Sequence, residues 1–247
     1  MRAIAHRGAS GYAPENTVAA FDLAIEMDAG GIETDLRVTR DGVVVLVHDA
    51  TVDRITDGQG PVASLRFADL LVLDAGRWFH PRFGGMRIQD LRSFLRRYMG
   101  RTWLELELKV PEAAELAVDE VQRLGMWGGV VFTSVQYAVL EAVRRRARSA
   151  QLGWLVPRIS PEAVAAVGAL RGVQICPEAQ TLTAAGVCLA RRGGLWVRAW
   201  GVADRVSVRH VIACGADGAT INYPDWPAAL AGEAGIADGR ESNDVRA

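Results

Sequence analysis

The sequence predicts an α/β protein folded as a (β/α)8 barrel, a TIM barrel, and three observations carry that prediction. Short β-branched and apolar runs alternate with amphipathic stretches along most of the chain, the pattern of repeated βα units. The length of 247 residues suits the roughly 250 that one such barrel needs. Half of the residues are hydrophobic and 26 are glycine, as a core laid between many strand–helix turns requires.

Strands are expected near 2–6, 31–38, 43–48, 103–109, 129–134, 151–156, 173–177, 195–200 and 218–221. Helical patterns fall at 15–29, 112–124, 136–147, 161–170, 181–192 and 205–213. Ser160 followed by Pro161 reads as an N-cap with proline at the first helical position. A closed barrel wants eight strands, so one run is supernumerary. Thr39-Arg40-Asp41-Gly42 leaves no room for a helix, and Asp-Gly between apolar alternations signals a hairpin. Residues 31–48 are therefore read as a β-hairpin at the second strand, with its second arm outside the barrel. Symmetric pairing about the turn would set Glu33 beside His48.

Residues 50–102 depart most from the alternation. Turn dipeptides (Asp57-Gly58, Gly60-Pro61, Gly84-Gly85) and two short helices, near 64–73 and 89–99, predict a small insertion over one side of the site. Residues 1–231 are thus expected to form a single domain, and 232–247, with little periodicity, a flexible tail.

Bulk properties exclude several classes. The formal net charge is -1, so no polyanion-binding character, and no nucleic-acid partner, is expected. The 28 basic residues are all arginine except Lys109. Cys176, Cys188 and Cys214 are odd in number and lack CxxC spacing, which reads as free thiols in a reducing compartment. No run is long enough to insert in a membrane, and the first strand begins without a leader. A cytoplasmic location is the expectation.

The ends of barrel strands are where this fold places its active site. His6-Arg7-Gly8 closes the first strand, and His48-Asp49 ends the hairpin. Glu33 and Asp35 are two apart on one strand and point to one face. From Trp103 to Lys109 strict alternation puts Glu105, Glu107 and Lys109 on one face and three leucines on the other. In a barrel the leucines should meet the helices, leaving the charges inside, where they are costly unless paired or metal-bound. A hard cation among three carboxylates offsets that cost. Taken singly the pieces are weak: Glu-x-Asp is usually a salt-bridge array, and an alternating charged strand is usually a half-exposed face. His80 and His210 read as structural or surface residues, and Trp78, Trp103, Trp127, Trp154 and Trp196 as packing.

In combination and order they resemble a known family. Ala5-His6-Arg7-Gly8, Pro14-Glu15-Asn16-Thr17 with Ala20-Phe21, Glu33-x-Asp35, His48-Asp49-Ala50-Thr51-Val52-Asp53-Arg54, Leu106-Glu107-Leu108-Lys109, Ala216-Asp217-Gly218 and Asn222-Tyr223-Pro224-Asp225 resemble the glycerophosphodiester phosphodiesterase family across about residues 2–227. The resemblance implies the barrel fold shared with phosphatidylinositol-specific phospholipases C. It implies His6 and His48 as general acid and base, and Glu33, Asp35 and Glu107 as ligands of one divalent cation, Mg2+ or Ca2+. Arg7 and Lys109 would lie against the phosphate and Trp200 over the glycerol moiety of a small-molecule substrate. The expected reaction is hydrolysis of a glycerophosphodiester to sn-glycerol 3-phosphate and an alcohol. Cationic groups screen the phosphodiester anion, and imidazoles exchange protons near neutral pH.

Some positions depart from the family pattern. Glu105 stands where Asn is usual, Asn222 where Asp is common, and Gly201-Val202-Ala203 where Thr-Val-Asn commonly follows the tryptophan. Val135 replaces a frequent Phe, and Met86 to Asp90 lacks a usual Pro-Thr. Two rival readings follow. One is a lysophospholipase D-like enzyme with an apolar groove from Trp78, Phe79, Phe83 and Met86. The other is a non-catalytic phosphate- or metabolite-binding barrel.

Overall fold

The computed structural model describes residues 1–125 and 127–231; the expected tail, 232–247, lies outside them. Eight parallel strands close a ring: β1 (Arg2–His6), β2 (Gly31–Val38), β4 (Leu104–Leu108), β5 (Val130–Ser134), β6 (Gln151–Val156), β7 (Gln174–Pro177), β8 (Trp196–Val202) and β9 (Gly218–Ile221). The pairing of β1 with both β9 and β2 closes it. The ninth strand, β3 (Val44–Leu46), pairs antiparallel with β2, is bridged at Val45 to Asp90, and stays outside the ring. This is the (β/α)8 barrel with its extra hairpin arm.

Alternation explains which residues face where. On β4, Leu104, Leu106 and Leu108 are fully buried in the hydrophobic layer with Ala113, Ala117 and Val121 of α4 (Ala113–Leu124). That packing turns Glu105 and Glu107 inward beside Glu33 and Asp35, their register partners on β2. Helix starts follow the capping chemistry. Thr17 caps α1 (Val18–Glu26), and Ser160, ahead of Pro161, caps α6 (Pro161–Ala169) through its hydroxyl. The expected helix at 15–29 is shorter because residues 14–17 are taken up by the turn that delivers Asn16 to the site.

The hairpin register differs from symmetric pairing about the Thr39–Gly42 turn. Leu36 faces Leu46 and Val38 faces Val44, so β3 is offset by one residue: Val47, where symmetric pairing would place Leu46, donates its N–H to the Asp35 carbonyl, and the expected Glu33–His48 pair does not form. The cause is a three-residue loop: Thr39 and Val43 close it, with Gly42 at φ +79° supplying the left-handed position.

Residues 50–102 build their own small core from Val52, Ile55, Val62, Leu70, Ala75 and Ile88, packed on Val45 and Val47 of the hairpin arm. Two short helices, α2 (Phe67–Leu70) and α3 (Leu91–Tyr98), fall where expected. Asp74 pins the segment by accepting N–H bonds from Gly76, Arg77 and Gly85. The remaining helices, α5 (Tyr137–Arg146), α7 (Ala184–Arg192) and α8 (Arg205–Ala213), cover the barrel's outer face. Among the described residues no helix is long and apolar enough to cross a membrane.

Candidate active site

A cavity of about 380 Å³ opens at the C-terminal ends of the strands, lined by His6, Arg7, Glu33, His48, Glu107, Lys109, Trp200 and Asn222 among others. Seven of the eight residues singled out from sequence line it directly; Asp35 lies just behind them.

The first strand ends in a strained turn. Arg7 has φ +55° and Gly8 φ +81°. A Cβ on Gly8 would come within 2.7 Å of Ala20 on α1, so only glycine fits. This turn aims the Arg7 backbone N–H at Glu33 Oε2, 3.1 Å away, and sends its guanidinium to Glu15 (2.8 Å) and Asp35 (3.1 Å). Asn16, also left-handed at φ +56°, donates to Asp35 Oδ2 and accepts from Thr34. Non-glycine residues in that region carry strain that persists where the surroundings over-determine it, commonly at functional sites.

Glu33, Asp35 and Glu107 are buried, and one oxygen of each lies within 4.8 Å of the others. Lys109 Nζ bridges Glu107 (2.6 Å) and Asp35 (3.1 Å). Although burial opposes ionisation, Arg7 and Lys109 hold Asp35 down to about 2. Glu33 goes the other way: burial, then Asp35 and Glu107, raise it well above the carboxylate range. Asp35 Oδ1 is buried and unaligned for any hydrogen bond despite the nearby ammonium. An all-oxygen donor set, mutual repulsion and a buried Asp35 oxygen that makes an ion pair but no hydrogen bond fit a hard divalent cation.

The two histidines are oriented differently. His6 Nδ1 lies 2.6 Å from the Asn222 amide oxygen, so Nδ1 carries the proton and Nε2, 4.0 Å from Glu33, keeps its lone pair. Burial, with Arg7 beside it, lowers His6 to about 4. His48 Nδ1 instead meets the Asp49 carboxylate at 2.7 Å. Asp49 is held by Arg54 (2.6 Å), and Arg54 forks onto Glu15, which also holds Arg7. Arg54, followed by His48, keeps Asp49 down at about 2. A chain of charges thus runs from His48 to the carboxylate cluster.

Opposite these groups stand Val135, Leu155, Trp200, Val202 and Ala203. Trp200 anchors its indole N–H on the Val156 carbonyl. The strand bulges just after it, between Ala199 and Val202, with Gly201 at φ +73°. Gly201 therefore serves a left-handed backbone position. Of the residues outside the cavity, His80 caps a 3-10 turn and His210 bonds the Leu182 carbonyl. Trp78, Phe79, Phe83 and Met86 lie on the insertion and none lines the cavity. Sequence reading gave no role to Glu15, Asn16 or Arg54, although their motifs were visible. It passed over Arg198, whose signal was a lone charge on the same face of β8 as Trp200.

The chain is similar to known phosphodiesterases in sequence and in fold. The glycerophosphoryl diester phosphodiesterase family matches residues 6–226. Bacillus subtilis YhdW is 35% identical over 98% of this chain and 100% of its own length. A glycerophosphodiester phosphodiesterase of the same organism is 29% identical over 90% of this chain and 83% of its length. The crystal structure of glycerophosphodiester phosphodiesterase from Agrobacterium tumefaciens superposes with a TM-score of 0.83 at 30% identity, over 93% of this chain and 99% of that chain. An Oleispira antarctica phosphodiesterase, solved in complex with the product sn-glycerol-3-phosphate, gives 0.84 at 26% identity, over 93% and 96%.

Proposed function

The chain belongs to the glycerophosphoryl diester phosphodiesterase family, and we propose that it hydrolyses small glycerophosphodiesters to sn-glycerol 3-phosphate and an alcohol with a divalent cation and a histidine pair of divided roles. The observation that carries this reading is the convergence of Glu33, Asp35 and Glu107 in a cavity that also holds His6, His48, Arg7 and Lys109.

Glu33, Asp35 and Glu107 hold the cation, Mg2+ or Ca2+, which when bound screens the phosphodiester anion and the charge developing on its oxygens. Arg7 and Lys109 face the phosphate from the same wall, and Trp200 packs against the glycerol from the other. His6 is the base: its Nε2 lone pair takes a proton from the attacking O–H as the new P–O bond forms. The attacker is either water or the glycerol 2-hydroxyl, and in the second case water then opens the cyclic phosphate. The amide at Nδ1 keeps the ring in that tautomer and, carrying no charge of its own, supports the protonated ring too weakly to offset burial and Arg7. His48 is the acid: its Nε2–H goes to the leaving alkoxide as the old P–O bond breaks. The Asp49 carboxylate compensates the charge of the doubly protonated ring, as an aspartate does for histidine in a hydrolase triad.

The experiment is a coupled assay for glycerol 3-phosphate released from glycerophosphocholine with Mg2+, Ca2+ or EDTA. Release that requires the cation is expected. Failure to cleave any glycerophosphodiester with either cation sinks the reading and favours the binding-protein rival.

A further inference from the structure

Below the catalytic groups the barrel holds a second set of charges that the reaction does not use. Glu105 lies two residues before Glu107 on β4, in register with Glu33 on β2, and is fully buried. Its Oε1 accepts from Gln174 Nε2 at 2.8 Å and Trp103 Nε1 at 3.0 Å. Its Oε2 is buried without a hydrogen-bond partner. Across the barrel Arg198, only 1% exposed, brings Nε to 3.7 Å from Glu105 Oε1. Gln174 bridges the two, because its Oε1 accepts from Arg198 Nε at 3.4 Å. The rest of the guanidinium is engaged by Thr220 Oγ1 and by Cys176 Sγ at 3.5 Å.

A buried carboxylate with an idle oxygen is costly, and a buried guanidinium equally so. Neither touches the cavity's reacting groups, yet Arg198 and Thr220 form part of the cavity wall. Charges inside a barrel are weakly screened and act on one another over several ångströms. Counting formal charges, Glu33, Asp35, Glu105 and Glu107 stand against Arg7, Lys109 and Arg198.

We propose that Glu105 and Arg198 are positioning residues that set the strength of the divalent-cation site from below, Glu105 tightening it and Arg198 loosening it, with Gln174 fixing their separation. This rests on the cation reading given above. Glu105 supplies negative potential beneath Glu33 and Glu107 without ligating. Arg198 supplies the opposing potential and compensates Glu105 in the dry interior.

The test is Mn2+ titration of the cation-free protein, followed by the electron-paramagnetic-resonance signal of free Mn2+. Thermal unfolding and kcat at saturating Mn2+ are measured in parallel. Glu105→Gln keeps the acceptor for Gln174 and Trp103 but removes the charge. It is expected to raise the Mn2+ Kd at least tenfold with kcat within threefold of the parent. The double variant with Arg198→Met restores the charge balance and is expected to return Kd to within threefold. A folded Glu105→Gln protein with parental Kd, or a double variant that binds no better than the single, overturns the proposal. Should Glu105→Gln fail to fold, Arg198→Gln carries the reciprocal test: tighter Mn2+ binding supports the pair, and an unchanged Kd overturns it. A parent that binds no Mn2+ would instead remove the cation reading beneath both proposals.

Discussion

His6 and His48 occupy two regions built on different physical terms. His6 ends a ring strand hydrogen-bonded on both sides, behind a strained turn that admits only glycine at Gly8. Its partner, Asn222, is neutral. His48 follows β3, which lies outside the ring between β2 and a single bridge to Asp90 of the insertion, and its partner is a carboxylate held by Arg54 from the insertion. The first region is suited to keep an imidazole neutral; the second can compensate one that carries two protons. On the proposed mechanism, the contrast assigns the two proton-transfer roles by the partner at Nδ1 and by the element that carries the ring.

The sharpest way to break the contrast is to remove each histidine. His6→Ala and His48→Ala should each lower kcat by about 10²–10⁴-fold while leaving the fold and cation affinity nearly intact. With a p-nitrophenyl phosphodiester, whose leaving group needs no protonation, His48→Ala should recover most of its activity and His6→Ala should not. Equal losses on both substrates would abolish the division of roles. Glu107→Ala should show the reverse pattern, a weakened cation affinity as the primary defect, with activity partly regained at high cation concentration.

Changing a partner rather than the ring gives a smaller effect. Asn222→Asp places a carboxylate on His6 Nδ1 and favours the protonated ring, raising its midpoint from about 4. A base must be neutral, so activity is lost as pH falls through that midpoint. The acid limb of kcat/KM should therefore move to higher pH in the variant, and an unmoved limb would contradict His6 as base. Smallest of all, Arg54→Ala frees Asp49 and lets the His48 ring wander. A loss on the order of tenfold is expected, short of the ~10²-fold that a 1 Å misplacement can cost. That loss should shrink on the p-nitrophenyl substrate, as for His48→Ala itself.

Much of this was legible in the sequence because it is local. Three leucines alternating with Glu105, Glu107 and Lys109 predict an inward charged face, and the packing of those leucines against α4 enforces it. The hairpin was legible but its register was not. Thr39 to Gly42 permits a two-residue or a three-residue loop, and a glycine at φ +79° suits both until the strands are seen. What was illegible lies between strands distant in sequence. Glu105 and Arg198 are meaningful only across the barrel, and Glu15 and Arg54 only once the insertion folds against the turn after β1. The departure at Gly201 gains its account from a bulge that sequence spacing could not locate.

The place of β3 outside the ring has an evolutionary corollary. Because the ring closes without it, gaining or losing a residue between Thr39 and Val43 leaves barrel closure untouched. The same change would turn the strand ahead of His48 onto its other face, since side chains alternate with a period of two. Length variation in this loop should therefore spare ring closure, disturb the packing of Val45 and Val47 on the insertion, and be severe for turnover. Descendants with altered loops would keep the scaffold and lose the chemistry, a direct route from enzyme to inert barrel.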